Sequence, residues 1–196
     1  MYLFFDTETT GLPKNFQAPY TETSNWPRIV QLAYLLVDEQ GSVVEENNQV
    51  IKPEGYSIPL ESTRVHGITT AYAKEHGVAL TEVLSAFFNA CRQADTLVAH
   101  NISFDRNVLA AACVRTQNDT DWLSTNQLCT MVASTNYCKI PNPYREGYRW
   151  PKLEVLHTKL FGESFSGAHD ALADVRACKR CFFELQQRGV LKTQKL

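Results

Sequence analysis

Apolar and polar positions along the chain follow two periods. Tyr2–Phe5 and Ile29–Val37 are nearly continuous apolar runs, the pattern of strands buried on both faces. Gln40-Gly41 is a turn, and Ser42–Ile51 reads as a third strand, so the second and third form a hairpin. Lys52–Leu60 is a connection containing Pro and Gly, and Glu61–Gly67 a short helix ended by its glycine. Leu80, Val83, Leu84, Phe87, Phe88 and Cys91 recur at spacings of 3, 1, 3, 1 and 3, which predicts an amphipathic helix. Thr96–Ala99 reads as a short strand, and Phe104, Val108, Leu109 and Ala112 as the buried stripe of the next helix. Gln127–Met131 predicts a short strand leading into a helix over Val132–Tyr137. Lys152–Phe161 is a helix stopped by Gly162. The last helix runs over Asp170–Gln187, burying Leu172, Val175, Cys178, Phe182 and Leu185, with Gly189 past its end. Early strands followed by strand–helix alternation indicate an α/β layer fold. The antiparallel or mixed sheet spans one domain, 1–190, followed by a frayed tail from Val190, 191–196.

Two stretches carry neither period. Residues 13–28 hold Phe16, Tyr20 and Trp26 among prolines and polar residues, aromatics that either stack on bases or pack down. Residues 142–150 combine Tyr144, Arg145, Tyr148, Arg149 and Trp150, a lid, a strand-binding loop or ordinary surface.

Composition narrows the class. The chain has 196 residues, 44% hydrophobic and 20% charged, as a soluble globular protein does. A net charge of −2 argues against a broad basic surface, and so against tight non-specific binding to long duplex DNA. It leaves room for a cleft that grips a few nucleotides with bound cations. The six cysteines lie mostly in apolar periodic stretches. Cys178-x-x-Cys181 lies mid-helix, with no second pair at zinc spacing, and reads as packing thiols. The N-terminus lacks a basic region, Asp6 interrupts its apolar run, and no stretch approaches the ~20 apolar residues of a membrane span. The expectation is a reduced, cytoplasmic protein.

Candidate chemistry begins where the first strand ends. A strand repeats every second residue, so Asp6 and Glu8 point to one face. Two adjacent acids repel, and either water or a hard divalent cation offsets them. His100-Asn101-Ile102-Ser103-Phe104-Asp105 lies at a strand-to-helix switch, where α/β sheets collect ligands. Asn101 or Ser103 can cap the helix, and Asp105 is either a first-turn acid or a ligand. In Gly167-Ala168-His169-Asp170-Ala171-Leu172-Ala173-Asp174, Asp170 begins a helix and Asp174 lies one turn inside it. The like charges four apart are mildly destabilising unless a cation intervenes. His169 alone reads more readily as a surface or capping residue, just before the helix on backbone that can move. Jointly, these segments can gather four carboxylates around one point. That set suits two divalent ions about 3.5–4 Å apart on a phosphodiester. A nearby imidazole suits a general base for the attacking water.

Phe5-Asp6-Thr7-Glu8-Thr9-Thr10-Gly11-Leu12, His100-Asn101-x-x-Phe104-Asp105 and His169-Asp170-Ala171-Leu172-Ala173-Asp174 resemble, in order, the motifs of the DEDDh, or DnaQ-like, 3′–5′ exonucleases. That family includes the proofreading subunit of bacterial replicative DNA polymerase. The resemblance implies a ribonuclease-H-like mixed sheet with helices on both faces. It implies that Asp6, Glu8, Asp105 and Asp174 hold two Mg²⁺ or Mn²⁺ ions and that His169 is the general base. Thr9, Thr10 and Leu12 match positions that contact or wedge the terminal nucleotide, and His100, Asn101 and Phe104 positions that line the site. His66, in Val65-His66-Gly67-Ile68-Thr69, matches another recurrent segment near the 3′ end. The long 13–28 loop departs from the family. The implied activity is release of nucleoside 5′-monophosphates from single-stranded DNA 3′ ends. The alternatives are a 3′–5′ exoribonuclease of ribonuclease T or oligoribonuclease type, and an editing subunit active only within a polymerase complex. The chain shows no long tail or linker, which disfavours a tethered subunit; a homodimer through an apolar face stays open. An inactive scaffold is disfavoured because all five expected residues are present.

Overall fold

A computed structural model describes residues 1–191. Strand β1 (Tyr2–Thr9) lies at the centre of a five-stranded sheet of order β3-β2-β1-β4-β5. It pairs antiparallel with β2 (Ile29–Val37), which pairs antiparallel with β3 (Val43–Val50). On its other side β1 runs parallel to β4 (Thr96–Ala99), and β4 parallel to β5 (Asn126–Cys129). The sheet is therefore mixed. Flanking strands pair β1 on both edges over Tyr2–Phe4, so that stretch tolerates burial, and the ladder with β2 continues past Phe5 to carry Asp6 and Glu8.

Alternation along β1 divides the core. Leu3 and Phe5 face one side, packed with α3 (Leu80–Cys91) and α4 (Ile102–Thr116). Phe4 faces the other, against α7 (Leu153–Phe161) and α8 (Ala171–Gln187). Helices cover both faces, as the ribonuclease-H-like expectation requires. The remaining helices are short: α1 (Leu60–His66), α2 (Thr70–His76), α5 (Thr130–Ala133) and α6 (Thr135–Cys138), with a 3-10 turn at Asp121–Ser124. Helix α2 escapes sequence reading because it buries only Ala73 and so shows no stripe; its N-cap Thr69 accepts from the Tyr72 amide at 3.1 Å. The helix expected over 132–137 is two turns broken at the buried Ser134.

Of the tail expected to fray, Val190 and Leu191 fold back on Leu185 through backbone bonds of 2.9 and 3.2 Å, and Leu191 is buried. Residues 192–196 of that expectation lie outside the described residues. Among the described residues, no helix is long and apolar enough to cross a membrane. The cysteines are free, and Cys178 and Cys181 are buried under α8.

Phe87 is fully buried, with ring centroids of Phe5, Trp122 and Tyr34 at 5.4, 5.6 and 6.0 Å. Phe87→Ala is expected to destabilise the protein by about 3–5 kcal/mol. Chemical denaturation followed by tryptophan fluorescence measures this, and a loss below about 1 kcal/mol contradicts the packing.

Candidate active site

The carboxylates of Asp6, Glu8 and Asp174 offer oxygens that all lie within 4.8 Å of one another. The first two leave the same face of β1, and the third comes from the first turn of α8. Asp170 starts that helix as its N-cap, accepting from the Leu172 and Ala173 amides at 2.9 and 3.3 Å. Gln31, opposite Glu8 in the β1–β2 register, accepts from the Ala171 amide at 3.4 Å. That bond ties the start of α8 to the sheet beside the acids.

Asp105, expected at the same point, approaches it from the first turn of α4. Its Oδ1 accepts from the Thr7 amide at 3.1 Å and the Thr7 hydroxyl at 2.7 Å, so it meets β1 at the residue between the two acids. Thr7 is turned toward it by the two-residue period that sends Asp6 and Glu8 the other way. Asp105 is near enough for its charge to act on Asp6 and Glu8.

The electrostatics follow from crowding in a buried place. Burial, then Asp105, Asp174 and Glu8, raises Asp6 well above the carboxylate range. Burial first, and Asp174 and Asp105 after it, pushes Glu8 up to about 8. Burial pushes Asp105 up to about 7 against the two Thr7 hydrogen bonds. Asp174 rises to about 6, chiefly by burial, with the His169 amide and charge opposing. Carboxylates so placed bind protons more tightly than free ones, and a cation beside them would favour their ionised form. An all-oxygen carboxylate set is the donor chemistry of hard divalent ions, so these residues fit such a cofactor.

His169 precedes α8 at a φ of 71°, a left-handed conformation rare for a residue with a side chain. Its amide donates to Asp174 Oδ2 at 3.2 Å, and its imidazole is exposed. The residue is thus anchored through its backbone to an acid of the cluster.

The positions matched to substrate contacts divide. Leu12 is 73% exposed beyond the strand end and presents an apolar surface. The Thr9 hydroxyl donates to the Gly11 carbonyl at 2.7 Å, and the Thr10 hydroxyl accepts from the Arg28 amide at 2.9 Å. Both threonines therefore shape the turn after β1. His66 Nδ1 accepts from the Ile68 amide at 3.1 Å, while its buried Nε2 lacks a hydrogen-bond partner and sits near Thr9. Phe104 packs against the α3–α4 core. Asn101 is left-handed and makes no side-chain cap; its Oδ1 instead accepts from Ser103 at 3.2 Å, so neither expected cap forms. His100 Nε2 donates to the Pro151 carbonyl and Nδ1 accepts from Thr130, each at 3.0 Å. Burial lowers His100 to about 4, which keeps it a neutral clip between the strand–helix switch and the 142–150 loop. That loop shows Tyr144 94% and Trp150 61% exposed.

Sequence reading passed over Thr7 and Gln31. The signal for Thr7 was its place between two acids on one strand. For Gln31 it was a polar residue within the apolar run of β2.

The exonuclease family profile of ribonuclease T type matches residues 3–182. The chain is 32% identical over 182 residues to PolC-type DNA polymerase III of Streptococcus thermophilus, covering 93% of this chain and 11% of that protein. It is 31% identical over 182 residues to the uncharacterized exonuclease CP81 of Escherichia phage 186, covering 89% and 82%. It superposes on E. coli exonuclease I in complex with a dT13 oligonucleotide at TM-score 0.76 and 24% identity, over 95% of this chain and 41% of that one. The zinc-bound form of the exonuclease I–single-stranded DNA complex gives 0.74 and 25%, over 95% and 40%. The chain thus spans about a tenth of the PolC proteins and two fifths of exonuclease I. Carboxylates gathered at the end of a central strand, on a ribonuclease-H-like mixed sheet, accord with this match, and the chain belongs to the DnaQ-like family of 3′–5′ exonucleases.

Proposed function

We propose that the chain removes nucleotides from the 3′ end of single-stranded DNA, using Asp6, Glu8, Asp105 and Asp174 to hold two divalent cations and His169 as general base. The observation that carries this reading is the convergence of Asp6, Glu8 and Asp174 within 4.8 Å from opposite ends of the chain. Mg²⁺ or Mn²⁺ is the proposed cofactor, supported by the all-carboxylate donors. When bound, such ions supply charge stabilisation for the attacking and leaving oxygens of the phosphodiester.

The residues of the chain do the rest. Asp6, Glu8 and Asp174 would hold the cations in their ionised form. Thr7 holds Asp105 with two hydrogen bonds beside Asp6 and Glu8, where it would complete the set. The exposed His169 imidazole takes the proton of the attacking water at its free nitrogen. Its amide bond to Asp174 keeps it beside the carboxylates. Leu12 presents an apolar edge for the terminal base. Atoms balance simply: water adds across the phosphorus–O3′ bond, releasing a nucleoside 5′-monophosphate and a new 3′-hydroxyl.

DNA as the polymer is supported by the likeness to exonuclease I bound to dT13 and to the PolC proteins. The PolC likeness favours a second reading, an editing domain working beside a polymerase. Labelled DNA and RNA oligomers, followed as ladders with the isolated chain, separate the readings. Shortening of DNA from its 3′ end is the expected result; RNA-only cleavage, or none without a polymerase, selects the alternatives.

Asp6→Asn or Asp174→Asn is expected to lower kcat about 10³-fold or more, the effect of losing several kcal/mol of charge stabilisation. Circular dichroism should remain native, and full activity in either variant removes the metal assignment. His169→Ala is expected to lower kcat about 10²–10⁴-fold with little change in the Mn²⁺ concentration for half-activation. Unchanged turnover discards its role as base.

The raised carboxylates give stability a sign. A folded protein whose acids bind protons more tightly than the unfolded chain is most stable below the unfolded pKa of about 4. That advantage is lost as pH rises through the folded values of about 6 for Asp174, 7 for Asp105 and 8 for Glu8. In EDTA the melting temperature should therefore fall between about pH 5 and pH 8. Mg²⁺ or Mn²⁺ should raise it more at the upper end, and an equal rise at both would contradict binding at these acids.

A further inference from the structure

Away from the carboxylates, a cavity of about 210 Å³ opens where β2 begins and β3 ends, lined by Arg28, Lys52, Glu54, Tyr56, Thr81 and Arg115. Three cations thus face one small space in a chain of net charge −2. Among the described residues, none of the three is paired with a carboxylate within 4.0 Å. Arg28 lies over the Tyr56 ring, 5.5 Å from its centroid, and its side chain is exposed, as is that of Lys52. Arg115 binds the carbonyls of Thr23, Trp26 and Pro27 and so fixes the wall of the cavity. Burial, and after it the Arg28 charge, pushes Arg115 down to about 10. The first turn of α3 adds backbone amides at the rim, for its N-cap Ala79 offers no side-chain acceptor. Glu54 is the lone acid of the lining.

We propose that this cavity binds a backbone phosphate of the nucleic-acid strand, upstream of the bond being cut. The inference rests on the nuclease reading above and deepens it. The occupant follows from position. The Arg28 backbone is bonded both ways to Thr10, amide to carbonyl and amide to hydroxyl, each at 2.9 Å. Thr10 lies two strand residues past Glu8, about 7 Å. A strand with its 3′ end at the carboxylates that passes over the turn at Thr10 would reach this cavity on the α3–α4 side of the sheet, and its phosphates match these cations in charge. A free phosphate, such as that of a released nucleotide, has the same chemistry and is the competing source.

The test compares the full chain with Arg28→Gln/Lys52→Gln. Anisotropy of a 5′-labelled oligothymidylate of about ten nucleotides is titrated in EDTA over a range of salt. Binding is then read independently of cleavage. The variant should bind roughly tenfold more weakly, with the slope of log K against log salt shallower by about 1.4, two contacts at about 0.7 each. Unchanged affinity and slope overturn the proposal. Inorganic phosphate that protects the wild type but not the variant from melting, with oligothymidylate affinity equal in both, overturns the strand assignment in favour of a free anion. Should the double variant melt early, Lys52→Gln alone is held to half the slope change. Loss of binding in the variant, with no cleavage by the wild type, supports the cavity and sinks the nuclease reading alone.

Discussion

Mutual repulsion of carboxylates at the end of a buried strand constrains everything around it. Asp6 lies on the central strand, paired with Ala33 of β2 and past the end of the β4 pairing, and burial is the first cause of its raised pKa. Glu8 and Asp174 crowd the same space from β1 and α8. Such an arrangement is unfavourable for ionised acids in the absence of a compensating charge. A fold that maintains it is shaped for something other than its own stability. The surrounding bonds hold the acids in place against that repulsion: Gln31 to the start of α8, Asp170 as its cap, and the His169 amide on Asp174.

The two-residue period of β1 assigns the acids to different surroundings. Asp6 and Glu8 turn toward α8, while Thr7 turns toward α4 and engages Asp105. One strand thereby links chemistry arising from helices on opposite faces of the sheet. The sheet order is what makes this workable. With β1 in the middle, the antiparallel β2 brings Gln31 and Arg28 to one flank, and the parallel β4 delivers Asp105 to the other.

The two irregular segments are held by specific bonds. Trp26 is 4% exposed and donates to the Pro19 carbonyl at 3.1 Å, and Tyr20 packs against the α3–α4 core, so these aromatics of the 13–28 loop pack down. Phe16 stays 56% exposed. Arg115 closes the base of the same loop and brings the basic cavity into being. On the other flank, His100 is a neutral clasp on Pro151, which anchors the aromatic 142–150 loop near the strand–helix switch.

Much of this was legible in the sequence because local patterns carry it. The run Ile29–Val37 is bounded as β2 is, and the stripe from Leu80 to Cys91 is α3, since burial on two faces or on one leaves its period in the residues. The spacing of Asp6 and Glu8 determined that they share a face, and Asp170 announced the start of α8. What only tertiary structure decided are relations between distant residues with no local period. These are the hydrogen bonds of Asp105 to Thr7, the commitment of both His100 nitrogens, the pinning of α8 by Gln31, and the meeting of Arg28, Lys52 and Arg115 around one cavity. Side-chain direction within a strand follows from chain geometry; which partner waits at the far end of that direction depends on how the layers close.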